Sequence, residues 1–164
     1  MRLTLRILSL LLVLSVTGTA LGASQRKVPA YEKYIKQYSS LAIQHQKKYR
    51  IPASITLAQG LLESGAGRSE LARKSNNHFG IKCHSDWRGC RVYHDDDLRG
   101  ECFRKYKNPE QSYEDHARFL VDRPRYASLF KLKITDYKGW ARGLQKCGYA
   151  TDRAYANRLI KLIE

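Results

Sequence analysis

The sequence predicts a single, mainly α-helical domain with a small β-hairpin near its middle. Apolar residues recur at three- and four-residue intervals over residues 31–49, which is the pattern of an amphipathic helix. Two short β-prone runs, residues 90–93 and 101–106, are joined by a polar turn and indicate the hairpin. The chain has 164 residues, which suits one domain.

Proline, glycine and polar residues set the expected elements before the hairpin. Pro52 can open a second helix that ends near Ser64, because a proline in the first helical turn loses no required hydrogen bond. Residues 69–74 can add one or two turns. Residues 75–82 are rich in asparagine and glycine, so we expect a loop there whose amides could line a binding groove.

After the hairpin the chain is expected to be helical. Asn108 can cap a helix that starts at Pro109, and Gln111 is placed for a capping box. A shorter helical segment is expected over residues 124–130. Thr135 and Thr151 are the expected caps of the last two helices.

The N-terminal residues have the layout of a secretory signal peptide. Arg2 and Arg6 are followed by an apolar segment and then by small residues suited to cleavage. We therefore divide the chain into a signal peptide at 1–23, a linker at 24–30 and a domain at 31–164. The predicted localisation is periplasmic or secreted.

Export makes disulfides the default expectation for the four cysteines. Three pairings are possible. The favoured one joins Cys90 to Cys102 across the hairpin and leaves Cys83 with Cys147. A metal site is not expected, because close Cys-x-x-Cys pairs are missing, and no cofactor is implied.

The chain is strongly basic, with a formal net charge of +15. Loss of residues 1–23 removes two arginines and no acid, which leaves +13. A basic exported protein favours polyanionic partners such as a cell-wall surface. No basic run interleaved with aromatic residues indicates a nucleic-acid platform, so we expect no nucleic-acid partner. We expect a monomer.

Glu63 is the first candidate for chemistry. It ends the apolar run 55–62 and is followed by Gly65 and Gly67, which should end the helix and leave space beside the carboxyl. An apolar wall disfavours the charged carboxylate, which raises its pKa and keeps it protonated as a general acid requires. The alternative is a helix-end glutamate that points into water.

An exported helical domain with such an acid suggests attack on a glycosidic bond, which normally uses two carboxyl groups. Asp96, Asp97 and Glu101 lie on or beside the hairpin and are candidates for the second group. The alternative for this acidic set is a solvated surface turn.

Five segments, in order, resemble the motifs of bacterial peptidoglycan N-acetylglucosaminidases. These are the mannosyl-glycoprotein endo-β-N-acetylglucosaminidase-like glycoside hydrolases, which include flagellar muralytic and autolysin types. The resemblance covers residues 31–164. It rests on residues 57–69, 77–82, 103–106 with Ser112, Tyr113 and Asp115, 125–127, and 148–152.

The resemblance implies a lysozyme-like α+β fold with a glycan groove between helices and hairpin, and peptidoglycan glycan strands as substrate. Glu63 matches the catalytic acid, and Tyr126 matches a tyrosine that assists at the cleavage site. The candidate substrate-binding residues are Asn77, Phe79, Lys82 and Tyr106.

The second carboxylate departs from the family pattern. Relatives often place a glutamate on the first hairpin strand, where this chain has Asp96 or Asp97, with Glu101 across the turn. The family resemblance also allows a mechanism in which the substrate's acetamido group acts as nucleophile. Two other functions stay open: a muramidase or lytic transglycosylase on a related fold, and a non-catalytic wall-binding module.

Overall fold

The computed structural model describes residues 28–164, which form six α-helices, one 3₁₀ helix and one two-stranded antiparallel sheet. The signal peptide predicted at 1–23 and the first residues of the predicted linker lie outside the described residues. No helix within residues 28–164 is long and apolar enough to cross a membrane. The elements in chain order are α1 (Pro29–Tyr49), α2 (Ala53–Ser64), α3 (Glu70–Ser75), β1 (Arg91–His94), β2 (Glu101–Arg104), α4 (Pro109–Val121), the 3₁₀ helix (Pro124–Lys131), α5 (Tyr137–Lys146) and α6 (Tyr155–Ile163).

Helix α2 is the central element, and it packs against α1, α5 and α6. Gly60 allows α1 to come close, because a Cβ atom at this position would lie 2.4 Å from the Tyr34 hydroxyl. A glycine inside a helix costs roughly 0.5–1 kcal/mol relative to alanine. Here it makes room for a buried contact in which the Tyr113 hydroxyl donates to that of Tyr34 at 2.9 Å.

Helices α5 and α6 and the 3₁₀ helix close the other side of the core with large, fully covered apolar side chains. They include Trp140, Leu144, Leu129 and Leu159. Because α6 packs on α2 as well as on α5, the C-terminal helix also lies beside the end of α2, where Glu63 is located.

The predicted ends of α2 and α4 are confirmed by their caps. Gly65 follows α2 with a left-handed φ of 56°, and the Asn108 side chain accepts the Gln111 N–H at 3.0 Å. Gln111 does not complete a capping box. Its side chain accepts the N–H of Lys107, one residue before the expected partner.

The caps predicted for the last two helices are wrong. Asp136 replaces Thr135 as the cap of α5, and its side chain accepts the Gly139 N–H at 2.8 Å. Helix α6 begins at Tyr155 rather than next to Thr151. The intervening residues form a turn in which Asp152 accepts the Ala154 N–H. In both cases a nearby aspartate supplies the acceptor that we assigned to a threonine.

The predicted hairpin is confirmed, but the predicted disulfides are wrong. The bond that forms joins Cys83 to Cys102, and Cys90 and Cys147 are free. In the strand register Cys102 faces Tyr93, while Cys90 lies beyond β1 and its carbonyl accepts from Lys105. Cys83 pairs with the other edge of β2, where its N–H donates to the Cys102 carbonyl at 2.8 Å. Register therefore brings Cys83, and not Cys90, beside Cys102.

Candidate active site

A groove of about 370 Å³ lies between the end of α2, the loop after α3, the hairpin turn and the start of α6. Glu63 lies in its wall, on the last turn of α2. The apolar face of α2 packs inward, and the helix stops at Gly65, so the carboxyl reaches the groove from a partly buried position. The other predicted site residues that line this groove are Phe79, Lys82, Asp96 and Asp97.

The surroundings of Glu63 hold its carboxyl near the midpoint of titration at neutral pH. Burial raises its pKa to about 7, and the nearby charge of Asp96 acts in the same direction. A hydrogen bond from Tyr155 and the charge of Arg158 oppose the increase by stabilising the carboxylate. The group can therefore carry a proton at neutral pH and be stabilised after giving it up.

A chain of buried hydrogen bonds stands behind this carboxyl. The Tyr155 hydroxyl donates to Glu63 Oε1 at 2.9 Å and accepts from Gln59 Nε2 at 3.0 Å. Gln59 Oε1 lies 3.1 Å from His116 Nε2. Burial lowers the pKa of His116 to about 3, so this ring is neutral and donates from Nε2 to the amide oxygen. Every donor in the chain therefore points toward Glu63.

This direction determines which oxygen of Glu63 carries the acidic proton. Oε1 is occupied as an acceptor from Tyr155, which leaves Oε2 for the proton. Oε2 faces the loop at Gly80, where a Cβ atom would lie 4.0 Å away. Gly80 has a left-handed φ of +60°, so a side chain there would strain the backbone as well as approach the acid.

The loop beside Gly80 is shaped by Asn77. Its side chain donates to the carbonyls of Ile81 and Arg104, both at 2.9 Å, and accepts the N–H groups of Phe79 and Ile81. Asn77 is 1% exposed and does not line the groove. Phe79 does line it and stacks on His116, with ring centroids 3.9 Å apart. The structure thus places Phe79 at the groove and Asn77 beneath it.

The opposite wall is a cluster of charges around Lys82. Its Nζ lies 2.8 Å from Glu101 and 3.5 Å from both Asp96 and Asp97. The two aspartates are exposed and line the groove, whereas Glu101 does not line it and accepts the Leu98 N–H within the turn. Within residues 28–164 no group of His, Cys, Asp and Glu side chains is arranged to hold a metal ion.

Two further predicted site residues are buried away from the groove. Tyr106 is 5% exposed, and its hydroxyl donates to Asp115 at 2.6 Å. Tyr126 is fully buried, and its hydroxyl accepts from Arg125, which does line the groove. The substrate role assigned to Tyr106 and the catalytic role assigned to Tyr126 stay predictions.

Sequence reasoning did not identify several residues that line the groove. Tyr155 is the most important of them, and on α6 it lies on the same apolar face as Ala156 and Leu159, so its spacing resembles that of a core residue. The one available signal is chemical, because a buried tyrosine hydroxyl usually finds a hydrogen-bond partner. Other lining residues that were missed include His84, Phe119, Arg125, Tyr149, Asp152 and Arg158.

Comparison with known proteins identifies relatives of this chain. Residues 39–164 match the glucosaminidase family, described as mannosyl-glycoprotein endo-beta-N-acetylglucosaminidase. The peptidoglycan hydrolase FlgJ of Vibrio parahaemolyticus is 32% identical over 147 residues, or 83% of this chain and 47% of the relative. The exo-glucosaminidase LytG of Bacillus subtilis is 37% identical over 132 residues, or 72% of this chain and 45% of the relative. The chain thus spans about half the length of the curated relatives it matches.

Solved structures agree with this assignment. The crystal structure of a peptidoglycan hydrolase from Sphingomonas sp. A1 superimposes with a TM-score of 0.73 at 34% identity, covering 81% of this chain and 87% of that one. The predicted lysozyme-like, mainly α fold with a small β-hairpin lobe is therefore confirmed. By sequence and by fold, the chain belongs to the glucosaminidase family.

Proposed function

We propose that this protein is an exported glycoside hydrolase that cleaves the β-1,4 bond after N-acetylglucosamine in peptidoglycan, with Glu63 as general acid. Family membership supports the substrate class and the reaction. The observation that carries the proposal is the state of Glu63. Its pKa is raised to about 7 by burial in the groove wall, while Tyr155 holds one carboxyl oxygen.

In the proposed reaction, Glu63 protonates the leaving oxygen from Oε2 as the bond between that oxygen and the anomeric carbon breaks, and positive charge develops at the anomeric carbon. A water then adds to this carbon and gives up a proton, which restores the acid form of Glu63. The Glu63 carboxylate that remains is stabilised by the Tyr155 hydrogen bond and the Arg158 charge. The same two groups help the acid to release its proton.

The second group faces Glu63 from the hairpin. Asp96 and Asp97 line the groove, are exposed and each lie 3.5 Å from Lys82 Nζ. We propose that one of them stabilises the positive charge directly or steadies the substrate's acetamido group as that group attacks. Phe79 and Lys82 would contact the glycan.

The replacement of Glu63 by Gln tests the catalytic assignment, because it keeps the shape of the side chain and removes the acid. We expect the rate of peptidoglycan cleavage to fall about 10²- to 10⁴-fold, the usual contribution of a general acid. Glu70→Gln, on the exposed face of α3, is the matched control and should leave the rate unchanged. Cleavage at the wild-type rate by the Glu63→Gln variant would refute the assignment.

Mass spectrometry of the released fragments tests which bond is cut. The proposal predicts N-acetylglucosamine at the new reducing end. N-acetylmuramic acid at that end would instead indicate a muramidase.

One observation favours a second candidate, a lytic transglycosylase. Four carboxyl groups line the groove: Glu63, Asp96, Asp97 and Asp152. Among the described residues, Glu63 is the one of these four without an ion pair, and a transglycosylase needs a single catalytic acid. An anhydro-muramyl product would identify this activity. A wild-type protein that binds peptidoglycan and releases no fragment would be a wall-binding module.

Export is proposed from the layout of residues 1–23. The Cys83–Cys102 bond supports it, because disulfides persist in oxidising compartments. Fractionation of cells that express the full chain, with N-terminal sequencing of the product, tests this proposal. Full-length protein that stays in the cytoplasm would contradict it.

A further inference from the structure

The groove contains one positive charge that no carboxylate neutralises. Three cationic side chains line it: Lys82, Arg125 and Arg158. Lys82 pairs with the hairpin acids, and Arg158 pairs with Asp152 at 3.0 Å. Arg125 forms no ion pair in the part of the chain that the structure describes. Its guanidinium lies over the Tyr126 ring, with its central carbon 4.7 Å from the ring centroid, and it is exposed to solvent.

The surroundings of Arg125 add further positive charge. We call this region the arginine end, and it consists of His84, Phe119, Arg123 and Arg125. The guanidinium of Arg123 covers the Phe119 ring at 3.8 Å and forms an ion pair at 3.7 Å with Asp86, which Arg104 also contacts at 3.3 Å. Burial, Arg123, Arg104 and Arg125 lower the pKa of His84, and Asp86 opposes them. Because Asp86 is shared and Arg125 has no ion pair within the described residues, the arginine end carries net positive charge beside the groove.

A row of aromatic rings connects this end to Glu63. Tyr155, which contacts Glu63, stacks on Tyr149 with centroids 5.7 Å apart. Tyr149 lies 6.2 Å from Phe119, and Phe119 lies 5.8 Å from His84. His84, Phe119, Tyr149 and Tyr155 all line the groove. A glycan strand placed over Glu63 and this row would carry its substituents past the arginine end.

Arg125 donates one N–H from Nη2 to the Tyr126 hydroxyl, which leaves four of its five N–H donors. A guanidinium can bind a carboxylate through two parallel hydrogen bonds. Neutral N-acetylglucosamine polymers carry no carboxylate. A muramyl residue carries a lactyl group whose carboxyl is either free or linked to a peptide with carboxylates of its own. We propose, on the basis of the function proposed above, that the arginine end binds a carboxylate on the muramyl substituent and makes the groove selective for anionic glycan strands.

Selectivity is measured as the ratio of kcat/KM on peptidoglycan fragments to kcat/KM on neutral N-acetylglucosamine oligomers of similar length. For Arg125→Ala we expect this ratio to fall at least about tenfold, because the charge-assisted hydrogen bonds to the carboxylate are lost. Arg125→Lys keeps the positive charge but cannot form two parallel hydrogen bonds to a carboxylate. Its ratio should therefore lie between those of the wild-type protein and the Arg125→Ala variant. Arg142→Ala, an exposed arginine on α5 outside the groove, is the matched control and should leave the ratio unchanged.

Two additional experiments test which carboxylate is bound and whether its binding is electrostatic. Strands stripped of peptides by an amidase carry only lactyl carboxylates. If the preference survives on them, the lactyl group is recognised; if it disappears, the peptide is. The wild-type preference should also weaken at about 1 M salt, where the screening length is about 3 Å.

Binding of the same ligands to the Glu63→Gln variant, measured by calorimetry, separates this inference from the proposed function. If the Glu63→Gln variant binds charged strands more tightly than neutral ones, and the added Arg125→Ala change removes this difference, the inference is supported. This holds even if the wild-type protein cuts no glycosidic bond. The inference is overturned if the wild-type protein shows no preference for charged strands, or if Arg125→Ala lowers activity and affinity equally on charged and neutral ligands.

Discussion

The two walls of the groove control charge in opposite ways. On the helical wall, Glu63 is partly buried, and burial raises its pKa although the hydrogen bond from Tyr155 opposes the increase. Gln59 and His116 continue that hydrogen-bond chain without adding a charge. On the hairpin wall, Asp96 and Asp97 are exposed and share the charge of Lys82. Burial raises the pKa of the acid on one wall, while the acids of the other wall lie in water beside a cation. The two walls therefore place carboxyl groups of one groove in different surroundings.

The walls also differ in what holds them in place. The helical wall rests on the packed core through α2 and α6. The hairpin wall has four residues in each strand, and an isolated two-stranded hairpin is at best marginally stable in water. It is anchored through the Cys83–Cys102 disulfide and through the pairing of Lys82 with Phe103. We expect covalent anchoring to matter more on this side.

The largest expected effect separates the acids of the two walls. Glu63→Gln should lower kcat about 10²- to 10⁴-fold, because Asp152, the other partly buried acid that lines the groove, is ion-paired with Arg158. Asp96→Asn and Asp97→Asn should each cost less, because either neighbour can supply negative charge in place of the other. Steady-state kinetics on purified peptidoglycan measure all three. Equal losses for Glu63→Gln and for one aspartate variant would mean that the walls share the chemistry evenly.

The stability of the Glu63→Gln variant shows whether it folds and tests the cause of the raised pKa. The pKa of Glu63 is about 7 in the folded protein, above the ordinary glutamate value of 4.5 expected in the unfolded chain. Between these two pH values the folded wild-type protein therefore binds more protons than the unfolded chain. Its stability should therefore fall as pH rises from about 4.5 to about 7. The Gln variant should lack this fall and gain stability relative to wild type at pH 8. Stability is measured by urea unfolding. If the difference in stability between the Gln variant and the wild-type protein is the same at pH 5 and pH 8, the burial of Glu63 is contradicted.

The second prediction concerns the anchor of the hairpin. Replacing Cys83 and Cys102 together by Ala should lower the free energy of unfolding by about 3 kcal/mol, the chain-entropy value for a loop of about 20 residues. Replacing Cys90 and Cys147 together is the matched control, because both are free. Urea unfolding measures each. Equally large losses from both pairs would instead favour the pairing expected from the sequence, in which either double replacement breaks both bonds.

The Cys83–Cys102 bond, which differs from the predicted pairing, shows how far the sequence could predict the fold. Helix and hairpin positions follow from local patterns, and the end of α2 at Gly65 was predicted from such a pattern. The disulfide could not be predicted, because it depends on which edge of β2 each cysteine meets. Residues 81–83 pair with the edge opposite β1, and no local pattern indicated that pairing.

The candidate site also combines residues that a local sequence pattern identifies with residues whose role depends on distant partners. Glu63 was identified from a local feature, an acid at the end of an apolar run beside glycines. Tyr155 contacts Glu63 across 92 positions of sequence, and its apolar neighbours made it look like a core residue. Asn77 was assigned to the groove because amides can bind sugars, but its hydrogen-bonding groups are taken by the backbone of its own loop and of β2. Partners distant in sequence decide such roles.

The third prediction tests the hydrogen bond between Tyr155 and Glu63. Because that bond stabilises the carboxylate, Tyr155→Phe should raise the pKa of Glu63. Activity requires the protonated acid and should fall as pH rises through about 7 in the wild-type protein. In the variant this alkaline limb should move to higher pH, with a moderate loss of stability because the Gln59 amide loses its acceptor.

Tyr137→Phe is the matched control, because its hydroxyl bonds only the surface residue Glu164. Its pH–rate profile should match that of the wild-type protein. A Tyr155→Phe profile that keeps the wild-type alkaline limb would show that Tyr155 has no influence on the proton of Glu63.

The smallest expected effect comes from the ion pairs of the hairpin wall. Lys82→Met should lower the unfolding midpoint by less than the loss of the disulfide does, because partly exposed ion pairs contribute little to stability. Lys82 lowers the pKa of Glu101, so this contribution is present above the ordinary carboxyl pKa and is lost as pH falls through the lowered value. The difference between variant and wild type should therefore disappear in acid. Lys74→Met, which removes an exposed pair on α3, is the matched control. A midpoint shift as large as that of the disulfide variant would mean that charge, rather than the covalent bond, holds the hairpin wall against the groove.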